Sequence, residues 1–195
     1  MHLTLKTPPA FEPITLEDIK AQAVVGHDAD DHLLVGIIEQ ARDQVESDTQ
    51  RALVEQTWQL KGACFTDEII VPRPPLVSVT HIKYVDTDGV QQTLPLADYQ
   101  IVTTNVCARI KPAPGTSWPA TQAGNEQAVE IEFVAGYLTN DGSGGYTGTL
   151  PPRAKTALLI WAAHLYENRE HLSPVQQHEL PSYKSAISTL EIYSL

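Results

Sequence analysis

Residues 151–170 constrain the fold more than any other stretch of the chain. Pro151 and Pro152 suit a helix entry, where the first N–H groups have no intrahelical partner to lose. From Ala157 to Tyr166 apolar side chains then point in nearly every direction. Ile160 and Trp161 lie on one flank, and Leu158, Ala162 and Leu165 on another. A helix that is apolar all round must be covered all round, by its own core or by a neighbouring subunit. The run is too short for a membrane span, which needs roughly 20 apolar residues. The stretch therefore predicts the spine of an assembly-forming protein.

Helices are also predicted before it. Thr15 with Leu16, Glu17 and Asp18 reads as a capped start, followed by an amphipathic turn through Ile19, Lys20 and Ala23 that ends near Gly26. A second start at His27–Asp31 opens a long helix to about Thr49. Leu34, Ile38, Ala41 and Val45 form its apolar stripe, opposite Glu39, Arg42, Asp43 and Glu46.

From Thr57 the period changes. Seven short strands are predicted: Thr57–Lys61, Glu68–Val71, Val77–Val85, Val90–Leu94, Tyr99–Val102, Ala108–Ile110 and Val129–Phe133. Asp86–Gly89 reads as a hairpin turn, and Pro72, Pro74 and Pro75 exclude a sheet interior. Residues 138–149, rich in Gly, Ser and Thr, read as a flexible loop. Pro174 and Pro181 break the later chain before an amphipathic segment that carries Tyr183, Ile187 and Leu190. The expected class is α+β: a helical bundle from 1–56 and 150–195, with a small antiparallel β-sandwich or barrel inserted at 57–137.

Charge narrows the partners. Net charge is −11, and residues 1–56 alone carry 11 acidic and 4 basic side chains, while 151–195 are balanced. Such a chain binds DNA phosphates poorly, because affinity there comes from Lys and Arg displacing counterions. The opening residues lack the apolar run of a signal peptide. Cys64 and Cys107 have neither metal spacing nor a disulfide framework, and read as reduced thiols in a cytosolic protein.

No catalytic pattern emerges. Asp28, Asp30 and Asp31 lack the Gly and Glu that complete a calcium loop. The glycines at 142–148 lack the Lys of a phosphate cradle. His164, His171 and His178 recur every seven residues, but Pro174 interrupts them and zinc pairs usually sit closer. The expectation is a non-enzyme with no cofactor and no metal. Trp58, Tyr84, Tyr99 and Trp118 leave a β-sandwich ligand module as an alternative, although such aromatics more often fill cores.

Taken in order, the residues resemble the head–tail connector, or adaptor, proteins of long-tailed double-stranded DNA bacteriophages. The likeness runs through Ile14–Lys20, Asp28–Leu34, Arg51–Trp58, Val71–Leu76, Tyr84–Gly89, Ser117–Ala120, Phe133–Tyr137 and His164–Glu170. One departure is Gln50, where such proteins often place Gly after the long helix. The resemblance implies a structural protein of the virion neck, assembled in the host bacterial cytoplasm. It would form a ring of about twelve copies beneath the portal, extend the DNA channel, and receive the next neck or tail protein. DNA would pass without specific binding, and no membrane is involved. A stopper or tail-completion protein is the neighbouring alternative. For the subunit and portal interface the expected residues are Trp161, Leu165, Tyr166, Glu167, Arg169, Tyr183, Ile187 and Leu190. The segment 181–195 is expected to dock on the portal, so that its deletion would leave a folded monomer unable to bind.

Overall fold

Thr15 starts the first helix through a reciprocal cap. Its Oγ1 accepts from the Asp18 N–H and the Asp18 carboxylate accepts from the Thr15 N–H, both at 3.1 Å, opening α1 (Leu16–Ala23). In the last turn Lys20 reaches Asp28 and Asp31 at 2.6 and 2.5 Å, which ties α1 to the start of α2 (Asp31–Thr49). The inner face of α2 buries Leu34, Ile37, Ile38, Ala41 and Val45, the stripe that its period predicts. These coordinates come from a computed structural model, which describes residues 1–104, 107–143, 145–168 and 180–192.

Gln50 ends α2 in the left-handed conformation, with φ 55° and ψ 30°. The cap that the missing Gly put in doubt therefore forms with an L-residue in its place. That conformation costs a side-chain-bearing residue roughly 1 kcal/mol, and the exposed hydrogen bond from Gln50 Nε2 to Ser47 O offsets little of it. Gln50→Gly should therefore stabilise the helical unit by about 0.5–1 kcal/mol. A urea titration would show the gain as a higher midpoint with an unchanged slope.

The chain divides into two units, a β unit of Met1–Pro9 and Glu55–Tyr137 and a helical unit of Ala10–Val54 and Leu138–Leu195. In the β unit, β1 (His2–Thr7), β2 (Gln56–Gly62), β4 (Leu76–Val85), β5 (Gln91–Thr93) and β8 (Val129–Ala135) form an antiparallel sheet in the order β1-β2-β8-β4-β5. A second antiparallel sheet has the order β3-β7-β6, from β3 (Ile69–Val71), β6 (Tyr99–Thr103) and β7 (Ala108–Pro112). Mixed helix and antiparallel sheet make this an α+β protein, as expected.

Alternation places the core. Along β8, Val129, Ile131, Phe133 and Ala135 are fully buried, and Leu60 and Ile82 sit opposite Ile131 in the flanking strands. The hairpin after β4 turns at Gly89, whose φ of 81° suits glycine, while Asp86 Oδ1 accepts the N–H groups of Asp88 and Val90.

The other face of the five-stranded sheet carries charge in matched pairs. Glu130 lies opposite Lys61 and Lys83, and Glu132 lies between Gln59 and His81. Lys61 Nζ is 3.4 Å and His81 Nε2 3.5 Å from the Glu130 carboxylate, while Lys6 pairs with Glu132. Burial works to raise the Glu130 carboxyl, but bonds from His81 and Lys61 outweigh it and hold the group below its ordinary value of 4.5. A carboxylate depressed on folding contributes stability above the unfolded value and loses it as pH falls through the folded one. The β unit should thus lose stability on acidification below pH 4.5, and Glu130→Gln should flatten that slope in thermal melts.

Two features escaped the periodicity. Residues 1–9 belong with the sheet rather than with the helices, since β1 adds to β2 in the register His2 to Lys61 and Leu5 to Trp58. Residues 138–149 are not a featureless loop. β9 (Leu138–Asn140) pairs with β10 (Tyr146–Gly148), and the Tyr146 ring stacks on Phe11 at 5.3 Å. Asp141 Oδ1 organises the turn by accepting the N–H groups of Ser143 and Gly145. Helix returns where the prolines predict it, as α3 (Pro152–Glu167) and, in the last segment, α4 (Pro181–Ile187).

Candidate docking surface

The helix predicted to be covered all round is covered on one side within its own unit. α3 buries Ala154, Ala157, Leu158 and Ala162, whereas Leu159, Ile160, Trp161, Ala163, Leu165 and Tyr166 stay half-buried and Glu167 is exposed. Three alanines on the buried side let neighbouring helices approach closely around Leu158; Trp161 and Leu165 share that side, while Leu159, Ile160 and Ala163 face away from it. At its end Asn168 Nδ2 donates to the His164 carbonyl at 2.9 Å, which closes the last turn.

Of the expected interface residues, the structure brings Trp161 and Tyr183 together, with ring centroids 4.9 Å apart. A cavity of about 330 Å³ opens beside them, lined by Asp48, Leu180, Lys184, Ile187 and Glu191 as well. Tyr183, Ile187 and Leu190 are buried, at 5%, 5% and 9% exposure. They hold α4 against its own unit instead of offering a free tail. The Tyr183 hydroxyl donates to Asp48 Oδ2 at 2.6 Å. Burial first, and then that bond to a carboxylate, push the phenol well above its ordinary range. Leu190 gives its carbonyl to Arg51 Nε at 2.7 Å, and Arg51 is itself 7% exposed.

Leu165 and Tyr166 sit one turn further along α3, where the Tyr166 hydroxyl donates to Asp30 Oδ2 at 2.7 Å. Arg169, and with it His171 and His178, lies outside the described residues. Among the described residues no group of three or more His, Cys, Asp or Glu could hold a metal ion. No helix among them is long and apolar enough to cross a membrane.

Sequence reasoning gave no role to Asp48 or Arg51, and it set Glu46 on the charged face of α2, whereas the structure buries Glu46. A signal was present: α2 has no basic residue in its last turn, yet Glu46 and Asp48 lie near that end. Carboxylates are unfavourable beside a helix C-terminus unless something specific pairs with them. Glu46, 7% exposed, accepts the Leu53 N–H on Oε1 at 2.7 Å and Arg42 on Oε2 at 3.2 Å. Arg42 also donates to Glu12 at 2.9 Å, so one part-buried network ties residue 12, the helix and the junction after it. Burial raises the Glu12 carboxyl against the opposing pull of Arg42.

The aromatic platform considered for the β unit forms only in part. Phe65 stacks on Trp118 at 4.8 Å and meets Tyr84 edge-on at 5.9 Å, beside a cavity of about 540 Å³. Trp58 instead lies under the Arg73 guanidinium at 5.3 Å, and Tyr99 is buried.

Comparison with known proteins follows the same lines. No curated protein matches the chain. Among solved structures, a chain of the "Neck of empty GTA particle computed with C6 symmetry" shares the fold with TM-score 0.78 and 22% identity, covering 100% of this chain and 97% of that one. A chain of the "Virion of native gene transfer agent (GTA) particle" aligns with TM-score 0.77, and one of the "Neck of native GTA particle computed with C12 symmetry" with 0.72, at the same identity and coverage. The resemblance read from the residues is borne out where α1, α2 and strands β2–β4 lie: residues 13–91 match the family described as Phage gp6-like head-tail connector protein.

Proposed function

We propose that this chain is a structural neck protein of a tailed virion or phage-like particle, joining the head to the tail. The observation that carries this reading is a connector-family match on a chain whose fold, over its full length, is that of particle neck chains. Copies of the chain form a closed ring, of about twelve subunits given the C12 symmetry of one such neck. The ring sits beneath the portal, extends the DNA channel and receives the next neck or tail protein. Assembly takes place in the host bacterial cytoplasm. The protein acts by binding, without catalysis.

The half-buried Trp161, Leu165 and Tyr166 of α3 supply the docking surface, with the exposed Glu167 beside them and Arg169 just beyond. Tyr183, Ile187 and Leu190 contribute by fastening α4 behind Trp161. The two sheets of the β unit share one core as a small sandwich, and the helical unit forms a bundle, separating recognition from ring building. A net charge of −11 lets DNA pass without adhering.

Native mass spectrometry of the chain with the portal protein of the same particle tests the reading. The expected complex carries one copy per portal subunit. A portal that stays bare at concentrations where the chain is folded would overturn it. The cavity beside Phe65 and Trp118 favours one other reading, a ligand-binding β module, which glycan-array binding would support.

A further inference from the structure

Gly36 sits in the middle of α2, where glycine weakens a helix relative to alanine. Nothing in the molecule requires it. A Cβ built there meets no atom within 4 Å, and its φ is not positive. It lies on the side of α2 away from the buried stripe, on the row His32, Gly36, Glu39 and Asp43, all exposed but the half-buried glycine. Leu33 and Val35 flank it, 41% and 47% exposed. A missing side chain between two exposed apolar ones makes a shallow notch into which a neighbouring helix fits.

The same unit carries a matching ridge. Thr156, Leu159, Ile160 and Ala163 run along the outer side of α3, exposed or half-buried, and Arg153 stands exposed at its start. Its Nη1 donates to the Ser185 carbonyl at 3.4 Å and to Thr189 Oγ1 at 3.3 Å, neutral partners that leave its charge unpaired among the described residues. The ridge is apolar with a cation at one end, and the notch is apolar with Glu39 and Asp43 beside it. A face and its complement on one chain, on different helices, generate a heterologous contact, which closes into a ring when the rotation between copies allows.

We infer that the occupant of the Gly36 notch is the α3 ridge of a second copy of this chain, with Asp43 and Glu39 facing the neighbour's α3 at its Arg153 end. This rests on the ring reading above and names the lateral contact within that ring. It also accounts for the apolar outer side of α3, which its own unit leaves half-covered.

The test repeats the portal titration with full-length variants. Gly36→Leu fills the notch without touching the core, so its thermal midpoint should equal or exceed that of the native chain. The native chain should load the portal cooperatively, as complete rings. Gly36→Leu should load singly and incompletely, with lateral affinity reduced about tenfold or more. Asp43→Arg should do the same, and pairing it with Arg153→Glu should restore complete rings. Full rings from Gly36→Leu would overturn the inference and leave the neck reading intact. Failure of the double reversal to restore rings would assign the notch to a different neck protein, and would also overturn it. A portal left bare by the native chain would remove the neck reading and this contact with it.

Discussion

Deleting Pro181–Leu195 is expected to unfold the helical unit, not to yield a folded subunit that lacks a docking tail. α4 and the turn after it bury Tyr183, Ala186, Ile187 and Leu190. Full burial of each large apolar side chain is worth about 1.5–3 kcal/mol, so their loss removes roughly 5 kcal/mol or more. A whole domain has only about 5–15 kcal/mol to lose. The deletion also uncovers Trp161 and takes partners from two polar groups, Asp48 Oδ2 and the buried Arg51 Nε. Far-ultraviolet circular dichroism and amide exchange across α2 and α3 would report the collapse. Native protection factors in the truncated chain would show that α4 is dispensable. Portal-binding defects in such a truncation therefore cannot by themselves locate a docking residue, whereas point changes at Leu165 or Glu167 can.

Glu46→Ala should destabilise the helical unit by about 1–3 kcal/mol, the usual cost of leaving a buried donor without its acceptor. The Leu53 N–H loses its acceptor, and the Arg42 guanidinium loses one of two carboxylates while keeping Glu12 at 2.9 Å. Leu53 is 1% exposed, so water cannot readily replace the carboxylate there. Glu46→Gln, which keeps an oxygen for Leu53 but not the charge for Arg42, should cost about half as much. Urea melts of the two variants would rank them, and equal midpoints for Ala, Gln and the native chain would refute the assignment. In a cycle with Arg42→Ala, the Glu46 and Arg42 changes should be strongly non-additive.

The helices were legible because their signals are local. Thr15 and Asp18 lie three residues apart, and the α2 stripe repeats within each pair of turns. The seven central strands showed through alternation and through turn residues such as Asp86 and Gly89. What the sequence hid was pairing over distance. Leu3 and Leu5 alternate like any exposed segment, and only β2, more than fifty residues on, gives them a sheet to join. Leu138–Asn140 and Tyr146–Gly148 are three residues each, too short for a period to register.

The expected surface divided for a related reason. Apolar spacing on α4 marked Tyr183 and Ile187 correctly as faces that need cover, but spacing does not say which body covers them. Asp48 and Arg51 decide that in favour of the chain's own unit, and both are polar residues that an apolar pattern passes over. On α3 the same uncertainty resolves the other way for Leu159 and Ile160, which their own unit leaves half-exposed.

The placement of β1 has a consequence for biosynthesis. Its partner strand ends at Gly62, the central β8 at Ala135, and the residues that seal the helices lie beyond Leu180. Neither unit can therefore be finished while the early part of the chain leaves the ribosome. α1 and α2 emerge with their apolar stripe uncovered and wait for α3, through the synthesis of nearly the whole β unit. Contacts so distant in sequence slow folding and prolong the exposure of sticky surface. For a protein needed in many copies at once, that places the demand on chaperones at synthesis, before any ring begins to close.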